Sequence, residues 1–326
     1  PVRLHDDLTV DELGILATHD TDGFNRYEAC QRLSHLALEH RLSSDSSNAA
    51  IEAALIEAVT TIFEDTSLRH DYKSLCLSVP SQSEVELRAM EADPVAIWEA
   101  RLALQGEIGK HLTNQINLAL ATGNLCDTSS GRALRNRCIF LGVASTSEIA
   151  VRVAAEQSSD LNMTLSIGGL TALNITSQAV RDTCLEAFYE RWKDTTLVME
   201  KWLCLEASSP FAGTAEHIQK LMLNPVFDPD NPNKLRSLLG TFAMANPVQF
   251  HKADGSGYQF IAGQIAEMDS RNPQIAARLA LVLTRFSHIE PSRRRLMRKS
   301  LIWLSERQLS DNLNEIVSKA LAAASA

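Results

Sequence analysis

Six of the ten prolines directly follow an asparagine or an aspartate, and no other feature constrains the fold as strongly. An Asx side chain accepts hydrogen bonds from the free amides of a helix's first turn. Proline suits the first helical position because it has no amide hydrogen to leave unpaired. The pattern predicts that several helices open at these dipeptides, which begin at Asp93, Asn224, Asp228, Asn231, Asn246 and Asn272.

The segments around and between these dipeptides read as helices and almost never as strands. A long helical pattern follows Asp93 and reaches about residue 120. After Asn272, apolar residues recur at steps of four, three and four, which predicts one buried face made of Ile275, Leu279, Val282 and Phe286. The other predicted helices span residues 27–42, 49–64, 83–90, 132–144, 147–157, 176–192, 195–206, 234–245, 258–268, 293–307 and 312–324. Predicted polar connections include 43–48 and 121–131.

Composition agrees with an all-α fold. Leucine and alanine supply 43 and 39 of the 326 residues, while glycine and proline supply only 14 and 10. Many short helices joined by short turns favour antiparallel helix pairs stacked as an irregular solenoid or superhelix. One domain can account for residues 1–326. The best candidate for an internal break is 223–233, although this stretch could equally be a long turn.

Charge and cysteine content limit the possible partners. The formal charge is -9, which argues against nucleic-acid and membrane-surface binding, and no apolar run is long enough to span a bilayer. From Arg271 onward the charge is +6, which fits either a solvated helix face or a site for anions. Six scattered cysteines indicate thiols in a reducing, cytoplasmic compartment. The first residue is Pro1 rather than methionine, as expected of a fragment.

Motifs for common catalytic sites are missing from the sequence. It contains no H-E-x-x-H, no phosphate-binding loop and no G-x-S-x-G. The nine histidines are better explained as surface or core residues than as metal ligands. Residues 255–257, Gly-Ser-Gly, predict a turn that ends at a helix N-cap rather than a dinucleotide fingerprint. We therefore expect no catalytic, cofactor-binding or metal-binding residue in this chain.

Arginines at the edges of apolar helix faces are the remaining candidates. Arg278 and Arg285 lie within about 20° of each other on a helix, at the border of the predicted apolar face. Arg236 has a similar edge position, with Gly240 one turn on leaving space beside it. The guanidinium groups of such arginines can point into a groove between helices. Alternatively, their aliphatic stems can lie along apolar surface while the charged groups stay in water.

At these same residues the sequence resembles the C-terminal domain of bacterial aminopeptidases N. Members of this family are zinc alanyl aminopeptidases of the gluzincin class. The resemblance rests on residues 231–260, NPNKLRSLLGTFAMANPVQFHKADGSGYQF, and on 269–279, DSRNPQIAARL. In the same order, 132–142 (RALRNRCIFLG), 162–164 (NMT) and 197–202 (LVMEKW) look like the same family.

The resemblance implies a right-handed α-superhelix, similar to HEAT or armadillo stacks, that caps the catalytic domain of a larger enzyme. The zinc, the H-E-x-x-H helix and the G-A-M-E-N loop belong to upstream domains in this family. In this family, arginines of the cap reach towards the enclosed cavity. The matching motifs imply that Arg236 and Arg278 do so in this chain, and Arg271 is a weaker candidate. Lys234 stands where a close relative has arginine, which puts the geometry at that position in doubt.

The implied function is a non-catalytic cap that forms the substrate channel and helps to restrict cleavage to the N-terminal residues of peptides. Its partners would be the parent's own N-terminal and catalytic domains and peptide substrates, and the fragment alone would be inactive. The rival interpretation is a stand-alone α-solenoid scaffold that binds another protein or an acidic ligand through the basic C-terminal helices.

Overall fold

The computed structural model describes residues 7–43, 49–176 and 178–323. In these ranges the regular structure is helical, and the only β-type pairing is an isolated parallel bridge between Ala92 and Ile289. The all-α prediction is confirmed. Pro1, most of the predicted turn at 43–48 and the last residue of the predicted helix 312–324 lie outside the described residues.

The chain divides into two compact units, and each is described by itself. The first unit comprises residues 1–85 and 99–181. Neighbouring helices pack here as consecutive pairs, α1 with α2 and α9 with α10, while α8 also packs on α4. Its helices are α1 (Val10–His19), α2 (Gly23–Leu42), α3 (Ala49–Glu64), α4 (His70–Cys76), α5 (Gln82–Arg88), α6 (Pro94–His111), α7 (Thr113–Ala121), a 3₁₀ turn (Gly123–Cys126), α8 (Ser129–Ala144), α9 (Glu148–Ser158) and α10 (Met163–Leu173), where α5 and α6 also run into the second unit.

The second unit comprises residues 86–98 and 182–326. In it α18 packs between α17 and α20, and α12 packs on a π-helical turn. Its helices are α11 (Gln178–Trp192, which begins in the first unit), α12 (Thr196–Ala207), α13 (Thr214–Leu221), α14 (Pro232–Leu235), the π turn (Arg236–Gly240), α15 (Thr241–Ala245), α16 (Pro247–Phe250), α17 (Ser256–Asp269), α18 (Pro273–Thr284), a 3₁₀ turn (Arg285–His288), α19 (Pro291–Ser305) and α20 (Asp311–Ala323).

Four of the six Asx-Pro dipeptides open helices, as predicted. The side chains of Asp93, Asn231, Asn246 and Asn272 accept hydrogen bonds from amides of the first turns of α6, α14, α16 and α18. Asn224 and Asp228 instead accept from the amides two residues on and close consecutive turns. The suspected break at 223–233 thus lies within the second unit as a turn-rich connection. The single-domain interpretation stays a prediction.

One predicted helix is wrong in its extent, because the pattern from Asp93 to residue 120 holds two helices. The chain breaks at Leu112, which separates α6 from α7. Next to this break the two glycines of α6 let another helix approach. A Cβ on Gly109 would lie 2.2 Å from the carbonyl oxygen of Leu141, and one on Gly106 would lie 2.8 Å from that of Ala144. Close backbone contact with α8 therefore explains why both positions are glycine.

Helices α1, α4, α10 and α13 were not predicted. The clearest case is α10, whose sequence MTLSIGGLTAL is apolar nearly all round and so carries no amphipathic stripe. Its glycines again mark close packing, since a Cβ on Gly169 would lie 2.5 Å from the Ala154 carbonyl oxygen of α9. Burial rather than periodicity decides this helix.

Two further findings concern membrane-spanning helices and the cysteines. No described helix combines the length and the apolar character that a membrane crossing needs. All six cysteines are unpaired thiols, and Cys30, Cys76 and Cys138 are buried.

Candidate functional site

Arg236 is placed by a strongly capped helix start. The Asn231 carboxamide oxygen accepts from the Asn233 and Lys234 amides, and α14 then widens into the π turn that begins at Arg236. Leu238 and Leu239 of this turn are fully buried, while Arg236 is exposed. Single π turns are often found at functional sites, and Arg236 is the first residue of this one.

The stem of Arg236 lies against Gly240, as the sequence suggested. A Cβ on Gly240 would lie 3.3 Å from Cγ of Arg236, so a larger residue would push the arginine aside. The guanidinium reaches the Asn233 side-chain oxygen at 3.4 Å. That neutral acceptor leaves the charge uncompensated, so Arg236 keeps a cationic head at the surface.

The buried face of α18 differs from the predicted one. Ala276, Ala280 and Leu283 are fully buried with Ala277 nearly so, whereas Ile275, Leu279 and Val282 are half-buried; of the predicted set only Phe286 is buried. The buried face lies about one residue further along the helix than predicted, because small alanines rather than the large apolar residues face α17 and α20. Arg278 therefore does not border the buried face. It lies nearly opposite, on the exposed side of the helix.

Arg271 is exposed in the turn between α17 and α18, and Arg278 is exposed two helical turns further on. Among the residues that the structure describes, neither guanidinium has a hydrogen-bonding or ion-pair partner. No hydrogen bond or ion pair in that part of the chain joins Arg236 to either of them. The three arginines are therefore separate, uncompensated surface cations, and their orientation towards a substrate cavity stays a prediction.

A polar network that the sequence did not predict joins Asp93, His251, Tyr258, Glu290 and Arg293 in the second unit. The Arg293 Nε donates to the His251 carbonyl oxygen at 2.6 Å, and its Nη1 lies 2.8 Å from Asp93 Oδ2 and 3.3 Å from Glu290 Oε1. His251 Nδ1 in turn lies 2.7 Å from the hydroxyl of the fully buried Tyr258. The network ties residue 93 to α17 and α19 within the second unit.

Burial controls the protonation of this network. It lowers the pKa of His251 to about 3, with a further contribution from the Arg293 charge, so the imidazole is neutral at pH 7. Burial likewise raises the pKa of Tyr258. The turn before α17 is tight, as predicted, with Gly255 at a φ of 73° and a virtual Cβ of Gly257 only 2.3 Å from the Phe250 carbonyl oxygen. The network is a structural clamp rather than a proton-transfer site.

The described residues offer no metal centre. Across residues 7–43, 49–176 and 178–323, no group of three or more histidine, cysteine, aspartate or glutamate side chains is arranged to hold a metal ion. A zinc ion of the kind implied by the resemblance does not fit any ligand set in this part of the chain.

Comparison with known families decides the relationship. Residues 10–322 match the family described as a domain of unknown function, DUF3458_C, made of ARM repeats. The chain belongs to this family. The DUF3458_C match, together with the helical units described above, confirms the α-solenoid class of the fold.

Curated relatives of this DUF3458_C chain are aminopeptidases, which confirms the resemblance found in the sequence. The aminopeptidase N of Caulobacter vibrioides is 33% identical over 332 residues, and that of Escherichia coli is 31% identical over 333 residues. These alignments cover 98% and 99% of this chain but only 38% of each relative. The chain thus spans well under half the length of the relatives it matches.

A solved structure shows the same fold. Legionella pneumophila aminopeptidase A, determined in complex with aspartic acid, superposes with a TM-score of 0.89 at 23% identity. The superposition covers 99% of this chain and 39% of that one. The chain therefore again covers about two fifths of the protein it matches, as it does for the curated relatives.

Proposed function

We propose that this chain is the C-terminal cap domain of a zinc-dependent aminopeptidase N, without a catalytic centre of its own. One observation carries the proposal: aminopeptidases N match almost the whole chain, yet the chain spans only 38% of their length. The lack of a metal-ligand group among the described residues supports a catalytic centre elsewhere in the longer polypeptide. There a bound zinc would activate the water that attacks the first peptide bond. The six unpaired thiols support a reducing compartment, and we place the protein in the cytoplasm.

In this proposal the cap contributes a cationic wall to the substrate channel. Arg236, Arg271 and Arg278 are exposed arginines without an anionic partner among the described residues. Uncompensated guanidinium groups attract the carboxylates of a peptide beyond its first residues, and they do so without taking part in bond cleavage. A helical wall over the catalytic domain would also exclude folded proteins by size.

The first test uses the 326-residue chain alone. We expect no stoichiometric zinc by elemental analysis and no hydrolysis of alanyl-arylamides, because the described residues hold no metal-ligand set. The same assays on the longer polypeptide serve as the positive control. Zinc-dependent hydrolysis by the 326-residue chain would refute the proposal.

The second test addresses the arginines in the longer polypeptide. Arg236→Ala and Arg278→Ala should lower kcat/KM for longer peptides by about three- to tenfold, since each removes one exposed charged contact, and should change alanyl-arylamide hydrolysis little. Arg295→Ala is the matched control, because Arg295 is an exposed arginine of the same unit on α19. Equal losses on short and long substrates would remove the channel role.

A further inference from the structure

A cleft of about 600 Å³ lies on the surface of the first unit, beside the turn that joins α8 to α9. Sites for small molecules have volumes of about 300–1,000 Å³, so this cleft is large enough to hold a ligand. The apolar part of its lining consists of Leu102, Val143, Val151, Ala155, Ile175 and Val180. All of these except Val143 are only half-buried, so the fold leaves apolar surface open to the cleft. An occupant needs an apolar body to cover that surface.

Thr146 also lines the cleft, and it stands where a helix usually ends in glycine. The Thr146 amide donates to the Val143 carbonyl oxygen at 2.9 Å. The Ser147 amide donates to the Gly142 carbonyl oxygen at 2.9 Å, and the two hydrogen bonds together close α8 as a Schellman motif. The motif needs a left-handed residue, and Thr146 supplies it with a φ of 63°.

A left-handed conformation is unfavourable for threonine, because its side chain branches at Cβ. Among the residues that the structure describes, Thr146 is the one non-glycine residue with a positive φ. Glycine at this position would close α8 without the strain, so the fold alone does not account for the threonine side chain. Strained residues of this kind cluster at ligand sites, and this one is exposed at the cleft.

The charged groups at the cleft favour a cation. Glu148, in the first turn of α9, is exposed and lines the cleft. Its carboxylate has no hydrogen-bonding or ion-pair partner in the described part of the chain. Arg152, one helical turn on, also lines the cleft, but its Nη1 lies 3.0 Å from Glu156 Oε1. The charge of Arg152 is therefore compensated and that of Glu148 is not, which leaves a negative charge at the edge of an apolar cleft.

We propose that this cleft binds a primary ammonium group attached to an apolar body, with the ammonium on Glu148 and the body on the apolar lining. An ammonium group has only donors, so it needs oxygen acceptors. The Thr146 hydroxyl donates to the Ser145 carbonyl oxygen at 2.6 Å, and its oxygen can accept a hydrogen bond from the ligand. The ligand has two possible sources, a free alkylamine or the N-terminus of a peptide whose first residue is apolar. This inference does not need the aminopeptidase assignment, since it rests on the cleft itself.

The first arm titrates the 326-residue chain with leucinamide and follows the δ1 methyl group of Ile175 by methyl NMR, with Ile175→Val to assign the signal. The signal should shift saturably with a Kd of about 1 mM. N-acetyl-leucinamide keeps the apolar body but lacks the ammonium group, and it should bind about three- to tenfold more weakly. The probe 3-methylbutylamine lacks the amide and separates the two sources. An affinity equal to that of leucinamide indicates a free alkylamine, and a lower affinity indicates a peptide N-terminus.

Three variants test the residues at the cleft. Glu148→Gln should weaken leucinamide binding by about three- to tenfold and leave N-acetyl-leucinamide binding unchanged, because only the charge is lost. Glu57→Gln is the matched control, since Glu57 is an exposed carboxylate of the same unit that does not line the cleft. Thr146→Gly should raise the unfolding temperature by about 1–3 °C in circular dichroism melts and still weaken leucinamide binding by about two- to tenfold. A threonine with only a structural role would not give this combination.

The second arm repeats the titration in the longer polypeptide with 3-methylbutylamine, which has no bond for a peptidase to cleave. The Ile175 signal separates the cleft from any amine bound elsewhere, and the affinity should equal that of the 326-residue chain. Loss of the shift would show that other parts of the polypeptide cover the cleft, and this result would overturn the proposal. Equal leucinamide binding by the wild type and Glu148→Gln, including no binding by either, would also overturn it.

Discussion

Replacing Arg293 tests whether the network around it holds the second unit together. The change Arg293→Met keeps most of the side chain's apolar stem and removes the donor to the His251 carbonyl and the cation facing Asp93 and Glu290. The Arg293 side chain is 13% exposed, against 20% for Glu290 and 40% for Asp93. Most of the lost stability therefore comes from the unpaired His251 carbonyl and Glu290 carboxylate, because water can hydrate the more exposed Asp93 carboxylate.

Removing one member of such a half-buried, hydrogen-bonded pair costs about 3 kcal/mol of unfolding free energy. Arg293→Lys keeps the charge but not the forked geometry and should cost about half as much. Arg295→Met is the matched control, since Arg295 is exposed on the same helix, and it should stay within about 0.5 kcal/mol of the wild type.

Urea unfolding monitored by tryptophan fluorescence is the appropriate assay. All four tryptophans, Trp98, Trp192, Trp202 and Trp303, lie in the second unit, so the signal reports on the unit that contains the network. An Arg293→Met loss below about 1 kcal/mol, or one no larger than that of Arg295→Met, would refute the assignment of Arg293 as a clamp.

Two other predictions follow from named contacts. The pKa of His251 is about 3 in the folded state and 6.5 in the unfolded state, so the stability that the neutral imidazole contributes is complete above pH 6.5 and is lost as pH falls. Between about pH 7 and pH 5 the free energy of unfolding should drop by at most about 2 kcal/mol. His251→Asn should flatten that pH dependence in urea titrations. Gly169→Ala should cost about 1–3 kcal/mol because its Cβ would meet the Ala154 carbonyl, whereas Gly14→Ala, with only Ala54 Cβ at 3.8 Å, should be neutral or stabilising by circular dichroism melts. The reverse order would refute the packing argument.

The helical class could be predicted from the sequence because its start signals are local. The side chains of Asn231, Asn246 and Asn272 cap the helices that follow them, and a cap needs only residues within one turn. By contrast, α10 is defined by close packing against α9, and its apolar, glycine-containing sequence carries no amphipathic stripe. Tertiary contact of this kind leaves no periodic signal in one chain.

The candidate site was only partly predictable. The contact between the Arg236 stem and Gly240 follows from one turn of helix, and it was expected. The side of α18 that is buried depends on which residues α17 and α20 admit, so alanine burial and the outward position of Arg278 could not be read from periodicity. The pairing of Arg293 with Asp93 joins residues 200 positions apart, which lies beyond any local pattern.

The length of the native polypeptide tests the central claim most directly. Peptide mapping by mass spectrometry of the protein purified from its source should recover this chain within a polypeptide about as long as the aminopeptidase N relatives, with an H-E-x-x-H sequence upstream of residue 1. A native polypeptide that starts at a methionine immediately before Pro1 and ends at Ala326 would contradict the account and favour a stand-alone helical scaffold.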